Sequence, residues 1–218
     1  MPKQIRCGTR FERDARREGY RSIAGVDEVG VGALFGPVVA AAVILDPSRT
    51  IRGIRDSKVL EPKTREDLAE KIRSSAISWA VGSVEAAEID RINIYQASRL
   101  AMRQAVMALH VPPDLLLVDA RRLDLEIPQI SIIRGDAQCV SVAAASIVAK
   151  VTRDALMREW DRVFPNYGLA SHKGYSTPAH KKALREHGPT PLHRVSYAPV
   201  RAAGQLGFWT ELPPDPEM

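Results

Sequence analysis

Four carboxylates stand where apolar, strand-like runs stop. Asp27 and Glu28 follow Ser22-Ile-Ala-Gly-Val, Asp119 follows Leu115-Leu-Leu-Val, and Asp136 follows Ile130-Ser-Ile-Ile-Arg-Gly. Strand ends of α/β domains are where sites are usually assembled. Acids gathered there repel one another and raise one another's pKa unless a cation joins them. A ligand set made only of oxygens suits Mg²⁺ or Mn²⁺. The 218-residue chain is otherwise basic, with net charge +5 and a pI near 9.4. An acidic metal pocket in a basic protein points to phosphodiester chemistry on nucleic acid.

Each acid also has a plainer reading. Asp27-Glu28 is read equally as a polar strand end before a turn, and Asp119 and Asp136 as caps on the loops that follow. Their joint placement outweighs these single readings. The doublet also poses a geometric demand, because adjacent residues on a regular strand point to opposite faces. Both acids serve one site only if the strand distorts or ends there, and Gly30 and Gly32 supply that freedom.

The elements that must position these acids are legible as an α/β layer. Strands are expected over 22–29, 38–45, 77–82, 115–119 and 130–133. Helices are expected over 9–19, 62–74, 93–109, 140–163 and 177–186, the last opened by Thr177-Pro178 as N-cap and first helical residue. Residues 38–45 form a nearly continuous apolar run, the pattern of a central strand buried on both faces. Ile77, Trp79 and Val81 alternate with Ser78, Ala80 and Gly82, a period-2 strand. Three strands precede the alternation of helix and strand, which predicts a mixed sheet opening with an antiparallel meander. Trp79, Trp160 and Trp209 are read as packing residues.

Length and composition fit one domain with a substantial core, 45% of residues being hydrophobic. Cys7 and Cys139 are the only cysteines, too few for a disulfide framework or a zinc site, which suits a reducing cytoplasm. No signal peptide is visible and no apolar run spans a bilayer.

The order of motifs resembles the ribonuclease HII family, the type 2 ribonucleases H. Gly25-Val-Asp-Glu-Val-Gly-Val-Gly-Ala-Leu-Phe-Gly-Pro resembles its opening signature and Asp56-Ser-Lys-Val-Leu its second motif. Leu117-Val-Asp-Ala, Arg134-Gly-Asp-Ala and Ala143-Ala-Ala-Ser-Ile-Val-Ala-Lys-Val-Thr-Arg-Asp resemble those that follow. Lys173-Gly-Tyr-Ser-Thr-Pro-Ala-His and His193-Arg-Val-Ser-Tyr-Ala-Pro-Val complete the set, from about residue 20 to 201.

That resemblance implies a ribonuclease H-like core at about 20–165, a C-terminal helical substrate-binding extension at about 166–212, and a flexible tail at 213–218. It implies endonucleolytic cleavage of RNA in RNA–DNA hybrids and of single ribonucleotides in duplex DNA, leaving 3′-hydroxyl and 5′-phosphate ends. Asp27, Glu28, Asp119 and Asp136 fall on the family's metal-site acids, and two-metal chemistry at Mg²⁺ or Mn²⁺ follows. Lys58 falls on a substrate-contacting lysine, whose physical role is a phosphate clamp; without the family it reads as an exposed lysine before a helix. Tyr175 falls on the tyrosine that stacks under the sugar at the RNA–DNA junction. His172, Lys173, His180, Lys181 and Lys182 around it make a nucleic-acid surface plausible unaided, against the alternative of a core tyrosine in a basic loop.

Gly30, Val31 and Gly32 fall on the family's substrate-side turn. Two departures stand out: Val31 replaces the usual arginine of that turn, and Ala120-Arg121 replaces the usual Gly-Asn after Asp119. Lys150, Arg153 and Asp154 are assigned to substrate or solvent without a catalytic role. A monomer is expected. Gln205-Leu-Gly-Phe-Trp is read as terminal packing, with a replication-clamp contact as the alternative. A transposase, integrase or Holliday-junction nuclease, a ribonuclease HIII and a catalytically dead nucleic-acid-binding module are the rival readings.

Overall fold

The computed structural model describes residues 7–209. Five strands, β1 (Ile23–Val29), β2 (Val38–Ile44), β3 (Ser78–Val84), β4 (Leu115–Asp119) and β5 (Gln129–Ile132), lie in one sheet in the order β3-β2-β1-β4-β5. β1, β2 and β3 form the expected antiparallel meander, and β4 and β5 run parallel to β1. The helices are α1 (Arg10–Arg17), α2 (Pro62–Ser75), α3 (Ala86–Ile92), α4 (Ile94–Met107), α5 (Gly135–Gln138), α6 (Val140–Val163), α7 (Leu169–His172), α8 (Pro178–His187) and α9 (Ala198–Trp209).

The sheet is covered on both faces, which is why β2 reads as one apolar run. On one face Ala24, Val26, Ala40, Ala42, Leu116 and Val118 pack against Ala97, Ala101, Met102 and Ala105 of α4. On the other, Ala41 and Val43 meet the Ala143–Ala145 stretch, Ile147 and Val148 of α6, with Leu68 and Ile72 of α2 beyond. The alanines allow close approach, and Gly25 makes it possible on β1: a Cβ there would run into the main chain of Ser141 and Val142. Each fully buried leucine-sized side chain in these layers stabilises by about 2 kcal/mol.

Three details differ from expectation. The helix expected at 93–109 is two helices, broken at Asn93, which adopts φ +68° and caps α4 by accepting from the Gln96 N–H. β3 has the expected period of 2, but its small residues face inward: Ser78, Ala80, Gly82 and Val84 are buried while Trp79 and Ser83 are exposed. Tight contact with α4 leaves room only for small side chains there, and Trp79 instead lies beneath Arg73, donating its indole N–H to the Arg73 carbonyl. Asp136 sits in the first turn of α5, one residue beyond Gly135, and not on a strand end.

The C-terminal portion is helical. Leu34 and Phe35, from the turn between β1 and β2, insert among Met157, Tyr167, Leu169, Leu184 and Val200. This portion is thereby fixed to the turn that follows Asp27-Glu28. Residues 205–209 are the last turns of α9 in main chain, and the tail expected at 213–218 lies outside the described residues. Among the described residues no helix is long and apolar enough to cross a membrane.

Candidate active site

β1 and β4 solve the problem of two adjacent acids. Their parallel pairing runs from Ile23↔Leu115 to Val26↔Val118 and stops, while β1 continues along β2 to Val29 and β4 continues along β5 through Asp119↔Ile132. The sheet therefore forks after Val26 and Val118. Asp27 and Glu28 line one arm of the fork and Asp119 the other. The doublet lies inside β1, which runs on to Val29 as expected, and what ends at the doublet is the pairing with β4 and not the strand itself. The two side chains do leave opposite faces: Asp27 meets Ser146 of α6, while Glu28 accepts from Arg121, which lies over the Tyr95 ring of α4.

The electrostatics show that the four acids share one place. Asp27 is buried, and burial followed by repulsion from Glu28 and Asp119, with Asp136 further off, holds its carboxyl well above the usual range; the Ser146 hydroxyl partly offsets this. Burial also raises Glu28, against the opposing pull of Arg121, and Asp119 adds repulsion. Asp119 is raised by burial, opposed by the Gly135 N–H that donates to its Oδ1 at 2.6 Å, with Asp136 repelling it.

Two of the acids are engaged by the chain's own cations. Lys58 Nζ lies 2.9 Å from Asp136 Oδ2. Although desolvation works against it, the bond to Asp136 holds the lysine above its ordinary pKa. The Lys58 side chain is 77% exposed, so only its ammonium end reaches the acids. It is delivered by a short 3-10 turn, Ser57–Val59, capped by Asp56, whose Oδ1 accepts from the Lys58 N–H. Arg121 holds Glu28 Oε1 at 3.2 Å, and Glu28 Oε2 is buried with no partner. No three His, Cys, Asp or Glu side chains among the described residues are gathered into a ready metal cluster. The donor set is nonetheless all oxygen, repulsive and partly orphaned, which fits a hard divalent cation.

A second group borders the acids. Gly30 has φ +92°, and a Cβ there would strike the Arg153 guanidinium. Val31 is half-buried against the α4 side of the core, and Gly32 is exposed. Ala33 bridges Tyr175, and the Leu34 N–H donates to the Gly174 carbonyl. Lys150 Nζ and Arg153 Cζ stand 5.7 Å and 5.4 Å from the Tyr175 ring centre. Asp27, Glu28 and Asp119 thus lie at the β1–β4 fork, Gly30, Val31 and Gly32 on the turn beside it, Lys58 on its 3-10 turn, Asp136 in α5, and Tyr175 on the segment after α7 that bridges Ala33.

Arg153 and Arg194 are what the sequence reading missed. Arg153 faces neither substrate nor solvent. It is fully buried and donates to the carbonyls of Pro37, Lys173 and Phe35, and burial pushes its pKa down to about 10. Arg194, also fully buried, donates to the Gly36 and Val31 carbonyls and to Tyr197. Asp154, too, is turned inward, taken by Lys150 and Arg65.

A meander joined to parallel strands, with acids at the fork, defines a ribonuclease H-like nuclease core. The family model of ribonuclease HII matches residues 24–200. The chain is 59% identical over 199 residues to the ribonuclease HII of Solibacter usitatus, covering 91% of this chain and 87% of that one. Ribonuclease H2 from Pyrococcus horikoshii OT3 superposes with a TM-score of 0.75 at 28% identity, covering 85% of this chain and 98% of that one. Ribonuclease HII of Archaeoglobus fulgidus, solved as a complex with PCNA, gives 0.68 at 27% identity, covering 80% and 93%. The chain belongs to the ribonuclease HII family, and it is an enzyme, an endoribonuclease of the ribonuclease H type.

Proposed function

We propose that this enzyme hydrolyses the RNA strand of RNA–DNA hybrids and cuts at single ribonucleotides embedded in duplex DNA, the entry step of ribonucleotide excision repair. Asp27, Glu28, Asp119 and Asp136 hold a pair of Mg²⁺ or Mn²⁺ ions, and the products carry 3′-hydroxyl and 5′-phosphate ends. The observation that carries this reading is the gathering of four mutually repelling acids at the β1–β4 fork, beside Tyr175. When bound, such ions supply Lewis-acid stabilisation of the charge that develops at the phosphate and activate the attacking water.

The chain's own residues do the rest. Glu28 Oε2, buried and unpartnered, is a free ligand atom. Lys58, whose stem is exposed, swings its ammonium from Asp136 to a substrate phosphate and clamps it without reading sequence. The Gly30–Gly32 turn offers main-chain N–H groups to a phosphate or a 2′-hydroxyl whatever stands at 31. Tyr175, half-buried and flanked by two cations, stacks under the sugar at the junction, where the 2′-hydroxyl is the only difference to read. Residues 166–212 serve as the substrate-binding extension. The free thiols of Cys7 and Cys139 suit a reducing cytoplasm, and the enzyme acts as a monomer. The PCNA complex of the Archaeoglobus relative supports a replication-clamp contact.

The test is cleavage of an end-labelled DNA duplex with and without one ribonucleotide, in Mg²⁺ and in Mn²⁺. One cut at the ribonucleotide with either metal is expected. Equal cutting of the all-DNA duplex, or preference for a four-way junction, would overturn the reading.

A further inference from the structure

Beneath Tyr175 three histidines, two of them buried, form a group that the chemistry above does not use. His172 of α7 stacks on His180 of α8, ring centres 4.5 Å apart, and His180 Nε2 lies 3.0 Å from His193 Nε2. His180 and His193 are essentially inaccessible to water.

Fixed main-chain donors settle which nitrogens carry protons. The Thr190 N–H donates to His193 Nδ1 at 3.0 Å, so that nitrogen is an acceptor and the His193 proton sits on Nε2. Nε2–H then donates to His180 Nε2, which leaves the His180 proton on Nδ1, aimed at the Tyr175 carbonyl 3.0 Å away. His172 is set in the same way: its Nδ1 accepts from the Gly174 N–H and its Nε2–H donates to the Tyr167 carbonyl at 2.7 Å. The bonds run in one direction, from Thr190 through His193 and His180 to the main chain of Tyr175. The Tyr175 N–H donates to the His172 carbonyl, and the Tyr175 carbonyl accepts from the Thr177 N–H at 2.8 Å as well as from His180, so the main chain is held on both sides of the ring. A second proton on either ring of the pair would set two donors face to face. Burial first, and each ring's histidine neighbour as well, lowers the pKa of both, in keeping with a neutral pair. The other titratable groups against the pair are His172 and Tyr167, and no carboxylate among the described residues faces it.

We propose that His180 and His193 are positioning residues for Tyr175: their directed pair of hydrogen bonds fixes the peptide under the ring and so sets how well one embedded ribonucleotide is cut relative to a long hybrid. This rests on the reading of Tyr175 as the junction tyrosine. Neither histidine touches substrate; the effect passes through the Tyr175 carbonyl. A long hybrid offers many further contacts, whereas a lone junction depends on this one ring.

The first experiment needs no variant. In ¹⁵N-histidine NMR of the full chain near pH 7, His180 should show the less common Nδ1–H tautomer and His193 the Nε2–H tautomer. Any other assignment overturns the relay. The second measures the ratio of single-ribonucleotide to long-hybrid cleavage. His180→Leu should lower it by about tenfold, as for one lost hydrogen bond. His180→Asn, whose amide N–H stands where Nδ1–H stood, should restore most of it, and His180→Leu should have no further effect in a Tyr175→Ala background. Equal loss on both substrates, or an Asn variant no better than Leu, overturns the proposal as a merely structural role. If Tyr175→Ala itself leaves the ratio unchanged, the reading of Tyr175 falls and takes the relay's function with it. If Tyr175→Ala lowers the ratio and His180→Leu does not, only the relay falls.

Discussion

At the scale of single residues, the fork collects negative charge faster than the chain neutralises it. Asp27→Asn and Asp119→Asn should each remove cleavage, since a metal ligand is lost. In chelator the same variants should be as stable as the parent or more so, because a repulsive charge has gone. Thermal melts in chelator alongside turnover check both halves, and near-parental turnover in either variant would remove that acid from the site. Arg121 suggests a second measurement. Its guanidinium occupies Glu28 Oε1, so its positive charge opposes an arriving dication, and one that takes Oε1 must displace it. Arg121→Gln should tighten Mn²⁺ binding by about tenfold or more, as expected for the loss of a competing charge-assisted hydrogen bond. Calorimetry without substrate reads this directly, and unchanged affinity would mean that the ion uses Oε2 while Arg121 stays in place. Arg121 follows Ala120, which is held at φ +47°, a conformation that favours glycine. The departure from Gly-Asn therefore introduces a strained alanine and a new cation beside the acids.

At the scale of elements, the acids were legible because a charged residue at the close of an apolar run announces itself in sequence. The fork was not, because it depends on where β1 and β4 stop pairing. The reversed phase of β3 was hidden for a similar reason: Gly82 and Ala80 face inward only because α4 lies so close. Arg153 reads as one more basic residue on a helix, since its partners are carbonyls of Phe35, Pro37 and Lys173, far away in sequence and silent in side-chain pattern. It joins α6, the β1–β2 turn and the segment before Tyr175. Arg153→Met should strand three carbonyls and cost about 3 kcal/mol or more. Arg153→Lys, which keeps the charge but loses the fork of donors, should recover little of it. Denaturant titrations of the two variants test this, and a loss under about 1 kcal/mol would show that the carbonyls find other donors.

At the scale of the molecule, acid should destabilise the fold through its histidines. His193 is pushed down to about 3 in the fold, against about 6.5 in an unfolded chain, and His180 is lowered as well. Between those two values the unfolded chain binds a proton that the folded one refuses. The His193 contribution is therefore fully present above about pH 6.5 and is lost as pH falls toward about 3, at roughly 1.4 kcal/mol per pH unit, and His180 adds in the same direction. Unfolding midpoints at pH 7, 6 and 5 should fall more steeply for the parent than for His193→Gln. Parallel lines would mean that His193 is protonated in the fold without penalty. The general architecture was recoverable from pattern because the alternation of strand and helix is local; the seating of the C-terminal helices on Leu34 and Phe35 was not, because it is made entirely of contacts between distant segments.

Besides the Leu34 and Phe35 side chains, the turn from Gly30 to Pro37 is gripped through its main chain. Arg194 and Tyr197 hold the Val31 carbonyl, Arg194 holds that of Gly36, and Arg153 holds those of Phe35 and Pro37. Hydrogen bonds to carbonyls take no account of which side chain the residue carries. The path of this loop is thus insulated from mutation at position 31, and a lineage can exchange arginine for valine there without moving the neighbouring acids. The two buried arginines behave like a printer's chase, the frame that locks the line in place while single letters are changed.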